Sequence, residues 1–237
     1  MSKSPPRLAL FDLDHTLLPL DSDFAWGDFT CTLGWVDPLQ FSQRNDAYYA
    51  QYREGTLDIH DYIRFATAAL LAQGATKSVA ARAQFMDTVI LPAVIPQARA
   101  LVRQHQAAGD WVLIVTATNV FVTEPIAAEF GVEHLIGIEL ASAPDAQGLP
   151  WYSGSIAGVP SFREGKITRV QSWLAERGTT LDALHSTFYS DSMNDLPLLE
   201  RVTEPVATNP DPRLRALAHE RGWRILDLFD QTAGAAS

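Results

Sequence analysis

The sequence predicts an α/β protein built on a parallel sheet, with a mainly helical segment inserted after the first strand. Three short apolar runs each end on a polar residue, at positions 8–12, 111–116 and 187–191, as strands buried on both faces do. The stretches between them read as helices, and strands that alternate with helices favour parallel pairing. A length of 237 residues exceeds one average domain and falls short of two. The natural division is a core of residues 1–19 and 94–237 with a cap of residues 20–93.

Each element follows from its own residues. The first strand is the run Leu-Ala-Leu-Phe-Asp ending at Asp12. The segment 20–93 is far longer than an ordinary loop, so it must form structure of its own. Its wealth of Ala, Leu, Tyr and Gln, with apolar spacing such as Ile59, Tyr62, Ile63 and Ala66, predicts helices. A helix over 97–108 closes at Gly109, and the second strand, Trp-Val-Leu-Ile-Val-Thr, ends at Thr116. Residues 136–158 read as an excursion of β-hairpin type around Pro144 and Pro150. A second helix over 166–177 closes at Gly178. The third strand, Thr-Phe-Tyr-Ser-Asp, ends at Asp191, and residues 205–208 and 223–228 add further strands around a helix over 213–221.

Composition bounds the function. Hydrophobic residues make up 47% and charged residues 19%, the balance of an ordered globular protein. A net charge of −10 argues against nucleic acid, whose binding relies on basic surface to displace counterions. Cys31 is the single cysteine, so an intrachain disulfide is excluded and an oxidising compartment gains no support. The apolar run near the start is short and broken by Asp12 and Asp14, unlike a signal peptide. No stretch approaches the roughly 20 apolar residues of a membrane span. The expectation is a cytoplasmic protein that binds a small anionic metabolite rather than nucleic acid or membrane.

In an open parallel sheet, ligands bind beyond the carboxyl ends of the strands, so Asp12, Thr116 and Asp191 are expected to meet. Asp12 and Asp14 stand two apart in extended chain and can face one reaction centre. The chemical logic is a division of labour. One carboxylate attacks phosphorus, and its neighbour protonates the leaving oxygen and then activates water. Repulsion between two anions demands a divalent cation and fixed donors. Asp191, with Asp195 nearby, supplies oxygen ligands that suit Mg²⁺. Thr116 offers a hydroxyl to phosphate, and Lys166 at a helix start offers a fixed positive charge.

In these four ordered motifs, Phe11 to Thr16, Thr116 to Thr118, Lys166, and Asp191 to Asp195, the chain resembles the haloacid dehalogenase-like hydrolase superfamily, in the branch that holds phosphoserine phosphatases. The resemblance implies a Rossmann-like core with a helical cap, and Mg²⁺ as cofactor. It implies Asp12 as nucleophile, Asp14 as general acid and base, and Thr116 with Ala117 and Lys166 as phosphate holders. The metal would rest on Asp12, Asp191 and the backbone of Asp14, with Asp195 as a further acid. Two departures stand out: Thr116-Ala117-Thr118 replaces the Ser-Gly-Gly common in that branch, and Asp191-Ser192 replaces Asp-Gly.

The cap segment through Arg64 resembles the part that gives those enzymes an arginine for the substrate carboxylate, and Asp21 falls where they place an acid near the ammonium. An amino-acid phosphate of the phosphoserine kind is therefore the first substrate expected. The alternative is an amino-alcohol phosphate such as histidinol phosphate, with Asp21 or Asp23 on the ammonium and Arg64 idle. A phosphotransferase and a non-catalytic binding module are the remaining alternatives. Phe24 and Trp26 are expected in the cap's apolar core, Cys31 as a small buried side chain, and His15 without a chemical role.

Overall fold

The computed structural model describes residues 7–229; the outermost parts of the 1–19 and 94–237 core, and most of the opening stretch, lie outside the described residues. Strand β1 (Leu8–Phe11) is buried at all four positions. Its side chains alternate between two apolar clusters, Ala9 and Phe11 in one, Leu8 and Leu10 in the other, which is why the run reads as continuously apolar.

After β1 come α1 (Ser22–Thr32), α2 (Pro38–Glu54) and α3 (Ile59–Phe85), then a π-helical turn (Met86–Ile90) and the short α4 (Leu91–Ala93). Asp21, Asp37 and Asp58 cap the first three through their carboxylates, filling amides that a helix start leaves open. Gly55 ends α2 in the left-handed region, at φ 76°. The segment is helical as expected. Trp26 of α1 is fully buried, edge-on to Phe85 of α3 at 5.4 Å and to Phe121 at 5.5 Å. Removing that ring would cost about 3–5 kcal/mol.

The remaining core runs α5 (Pro96–Ala108), β2 (Trp111–Asn119), α6 (Val120–Glu129), β3 (His134–Ile138), β4 (Leu140–Pro144), β5 (Pro150–Ile156), α7 (Glu164–Ala175), β6 (Ser186–Ser190), α8 (Leu196–Leu199), β7 (Glu204–Thr208), α9 (Pro212–Arg221) and β8 (Arg224–Leu226). Among the described residues the main sheet has the order β3-β2-β1-β6-β7-β8, with every pairing parallel. Strand order reverses between β1 and β6. That is the switch point where such sheets bind ligands, and Asp12 and Asp191 stand one residue past those two strand ends.

Three details depart from the sequence expectation. Residues 134–138 belong to the parallel sheet, and the hairpin is confined to β4 and β5, where Pro144 faces Pro150. The apolar run of β3 continues into β4 with a break of only one residue, so the run alone does not mark the change of sheet. Strand β2 continues to Asn119 through an irregularity after Val115. Cys31 is half-buried rather than buried. No single helix among the described residues is long and apolar enough to cross a membrane.

Candidate active site

Beyond the β1 and β6 ends lies a cavity of about 1030 Å³, walled on one side by the core loops and on the other by α1, α2 and the start of α3. Asp12, Asp14, Asp21, Thr116, Ala117, Lys166, Asp191 and Asp195 all line it. The structure therefore brings together every candidate site residue named above except Arg64.

Lys166 is the pivot. It is 2% exposed, and its Nζ donates to Asp12 Oδ1 at 2.8 Å and to Asp195 Oδ2 at 2.8 Å. Burial works against its charge, but the carboxylates of Asp12 and Asp195 outweigh that and hold the proton more firmly than usual. Lys166 reaches this position because α7 begins tight against the preceding loop. A Cβ on Gly165 would lie 2.0 Å from the Pro160 carbonyl oxygen, so only glycine fits there.

Asp14 is fixed by two donors, the Ser22 amide on Oδ1 at 2.8 Å and Thr118 Oγ1 on Oδ2 at 2.7 Å. Burial, reinforced by the charge of Asp21, raises its carboxyl well above the usual range. The loop that carries it turns through His15 at φ 55°, and Asn209 Nδ2 holds the carbonyls of His15 and Thr16 at 3.1 and 3.3 Å. Thr116 Oγ1 accepts the Thr118 amide at 3.1 Å, which closes the turn after the first part of β2. Asp191 accepts from Thr16 Oγ1 at 3.3 Å. Burial, then Asp12 and Asp195, push its carboxyl well up.

Asp195 is already engaged. Besides Lys166, Ser190 Oγ donates to its Oδ2 at 2.7 Å, and burial lifts its carboxyl to about 6 against the opposing pull of Lys166. Among the described residues no three His, Cys, Asp or Glu side chains form a ready-made metal cage. Mg²⁺ does not require one, because it keeps several waters and rests on one or two carboxylates plus phosphate oxygens. The buried acids Asp12 and Asp195 and the half-buried Asp191 face the ammonium of Lys166, and their donors are all oxygen. That residual negative charge and that donor chemistry fit a hard divalent cation.

Arg64 lies elsewhere. It is more than half exposed on α3, pairs with Asp61 one turn back and does not line the cavity. The arginines that do line it are Arg53, Arg163 and Arg213. They gather where the end of α2 meets the loops after β6 and β7: Arg213 Nη1 donates to the Arg53 carbonyl at 2.8 Å, and Arg163 Nε to Asn194 Oδ1 at 3.3 Å. Arg163 holds φ 51°, ψ −122°, a strained conformation for a side chain of its size. Tyr52 Oη and Ser192 Oγ meet at 3.1 Å, so the serine that replaces the family's glycine forms a contact with the cap. Phe24, expected in the cap's apolar core, is 42% exposed and faces the cavity.

Sequence reasoning also missed Asn119. Its side chain caps α6 by accepting the Val122 amide at 3.3 Å and donates to Asp23 Oδ1 at 3.1 Å. Its cap role was open to reading, as Asn at a strand-to-helix junction; its contact with α1 was not.

A strand-end carboxylate tied to a buried lysine, with a second acid two residues on in the same cavity, is equipped for displacement at phosphorus, and this protein is a phosphatase. The chain belongs to the haloacid dehalogenase-like hydrolase family, whose model matches residues 9–200. It is 43% identical to a histidinol-phosphatase of Neisseria meningitidis serogroup C (strain 8013), over 93% of this chain and 98% of that one. It is 31% identical to a phosphoserine phosphatase of Mycobacterium tuberculosis, over 92% of this chain and 70% of that one. A crystal structure of a protein of unknown function from Bordetella pertussis Tohama I superposes with a TM-score of 0.87 at 48% identity, covering 95% of this chain and 100% of the other.

Proposed function

We propose that the chain hydrolyses the phosphate monoester of a small amino alcohol, histidinol phosphate first among them, through an aspartyl-phosphate on Asp12. Asp12 attacks phosphorus while the P–O ester bond breaks, and Asp14 gives its proton to the departing alkoxide. Water then attacks the aspartyl-phosphate, Asp14 takes a proton from it, and inorganic phosphate leaves with Asp12 restored. Lys166 keeps Asp12 oriented and offsets negative charge beside it. Thr116 and the amides after it are donors for phosphate oxygens. Asp195, bound to Lys166 and Ser190, positions the lysine. Asp12, Asp191 and the Asp14 backbone would hold Mg²⁺, which would supply positive charge to the phosphate. Residues 20–93 act as the cap that excludes water during phosphoenzyme formation.

The observation that carries the substrate class is the wall next to Asp14. It carries two acids, Asp21 and Asp23, and Arg64, the cation expected for a substrate carboxylate, does not line the cavity. Such a wall attracts an ammonium and repels a carboxylate. The histidinol-phosphatase relative adds weight. A phosphoserine-like substrate is the second reading, favoured by Arg53, Arg163 and Arg213 on the cavity lining. Steady-state release of phosphate from L-histidinol phosphate and from L-phosphoserine in Mg²⁺ separates them. A kcat/KM at least about tenfold higher for the amino alcohol is expected. An equal or reversed preference overturns it in favour of the arginines.

A further inference from the structure

We infer that Asp23, not Asp21, is the specificity-determining acid of the cavity, and that its free carboxylate oxygen receives the primary ammonium of the substrate. This rests on the amino-alcohol assignment above.

The two oxygens of Asp23 are treated differently by the fold. Oδ1 accepts from Asn119 Nδ2 at 3.1 Å, whereas Oδ2 is enclosed and has no hydrogen-bond partner. The residue is 5% exposed, yet it lines the cavity. An enclosed carboxylate oxygen without a donor is costly, and such orphans are few in folded proteins. A ligand that brings a donor into the cavity would complete the set.

The neighbours say what kind of donor. Asp21 acts on Asp23 as a like charge, and together with burial it lifts the Asp23 carboxyl to about 7. The Tyr62 hydroxyl beside Asp23 acts as a donor that favours the ionised form, yet it leaves Oδ2 short of a well-formed hydrogen bond. A neutral donor would satisfy Oδ2 but leave two negative charges facing each other. A positive one does both. Asp21 is less suited to this role, because its Oδ1 is committed to capping α1, accepting the Asp23 and Phe24 amides at 3.0 and 2.9 Å.

The anchoring of Asp23 also sets where the ammonium sits along the substrate. Thr118 holds Asp14 and the next residue, Asn119, holds Asp23. The acid that protonates the leaving oxygen and the acid that takes the amine are thus fixed to consecutive residues of β2. That arrangement selects an amine close to the ester oxygen in the substrate chain, as in a 2-amino-alcohol phosphate.

The test compares L-histidinol phosphate with its deamino analogue, 3-(imidazol-4-yl)propyl phosphate, on the wild type and on Asp23→Asn, in Mg²⁺. The wild type is expected to prefer the amine by about 10- to 100-fold in kcat/KM, the worth of one charge-assisted hydrogen bond. D23N should lose most of that preference, chiefly through a higher KM for the amine substrate. If the wild type shows no preference for the amine, the amino-alcohol assignment is wrong. If the wild type discriminates and D23N discriminates equally, the assignment stands and Asp23 is not its cause. Thermal unfolding is followed alongside. Should D23N not fold, Asp23→Ser, which removes the charge and keeps a hydrogen-bonding oxygen, takes its place, and retained discrimination there overturns the inference.

Discussion

Replacing Gly165 by alanine tests how rigidly the fold holds its central lysine. The added Cβ would meet the Pro160 carbonyl oxygen at 2.0 Å and the carbonyl carbon at 3.2 Å, where about 3.2 Å or more is needed for the oxygen. The carbonyl cannot simply swing aside, because it accepts the Phe162 amide at 2.8 Å. The first turn of α7 must then move by about 1 Å, and Lys166 is the next residue. Overpacking of this kind costs about 1–3 kcal/mol, which for a chain of this size lowers Tm by roughly 3–10 °C. A misplacement near 1 Å at a catalytic group costs about 100-fold in rate. The assays are thermal unfolding and phosphate release at saturating substrate and Mg²⁺. Wild-type kcat together with an unchanged Tm would show that α7 is not pinned against the loop at Pro160.

Three further outcomes are expected. Asp12→Asn should abolish turnover in Mg²⁺ with the circular dichroism spectrum intact, and measurable turnover would rule out covalent catalysis at this residue. Arg64→Ala should leave kcat/KM within about twofold of wild type, since an exposed i,i+3 pair contributes little; a large rise in KM would bring the arginine back into the substrate site. The third concerns pH: the folded protein binds the Asp23 proton more tightly than the unfolded chain does, with a pKa of about 7 against an ordinary 3.8. The stability this gives is complete below pH 4 and is lost as pH rises toward 7, up to about 4 kcal/mol. Relative to wild type, D23N should therefore melt higher at pH 8 than at pH 4, and parallel Tm curves would contradict the shift.

The parts of the fold open to sequence reading were those set by local pattern. β1, β2 and β6 announced themselves as apolar runs closed by Asp12, Thr116 and Asp191, and Asp12 and Asp14 owe their shared direction to spacing alone. Lys166 was recognisable only through its place in an ordered set of motifs, because one lysine at a helix start has no distinctive pattern. The cavity wall was legible only in its acids, Asp21 and Asp23, and not in their partners. Asp23, Tyr52, Arg163 and Asn119 become neighbours through contacts between residues far apart in the chain, such as Asn119 to Asp23 and Tyr52 to Ser192. Arg64 misled for the same reason: helical spacing says that a side chain lies on a face, and only the packing of α3 decides that this face looks outward.

The position of β1 in the sheet has a bearing on how the molecule is made. It is the first strand among the described residues and a central strand of the sheet, paired at Leu8 with Trp111 on one side and Ser186 on the other. A nascent chain therefore leaves one edge of the strand that leads to Asp12 open until residues 186–190 are made, while the helices of residues 20–93 can form from nearby contacts. Closing such distant pairs is entropically slow, and the open apolar edge of β1 is the natural surface for a chaperone to cover until β6 arrives.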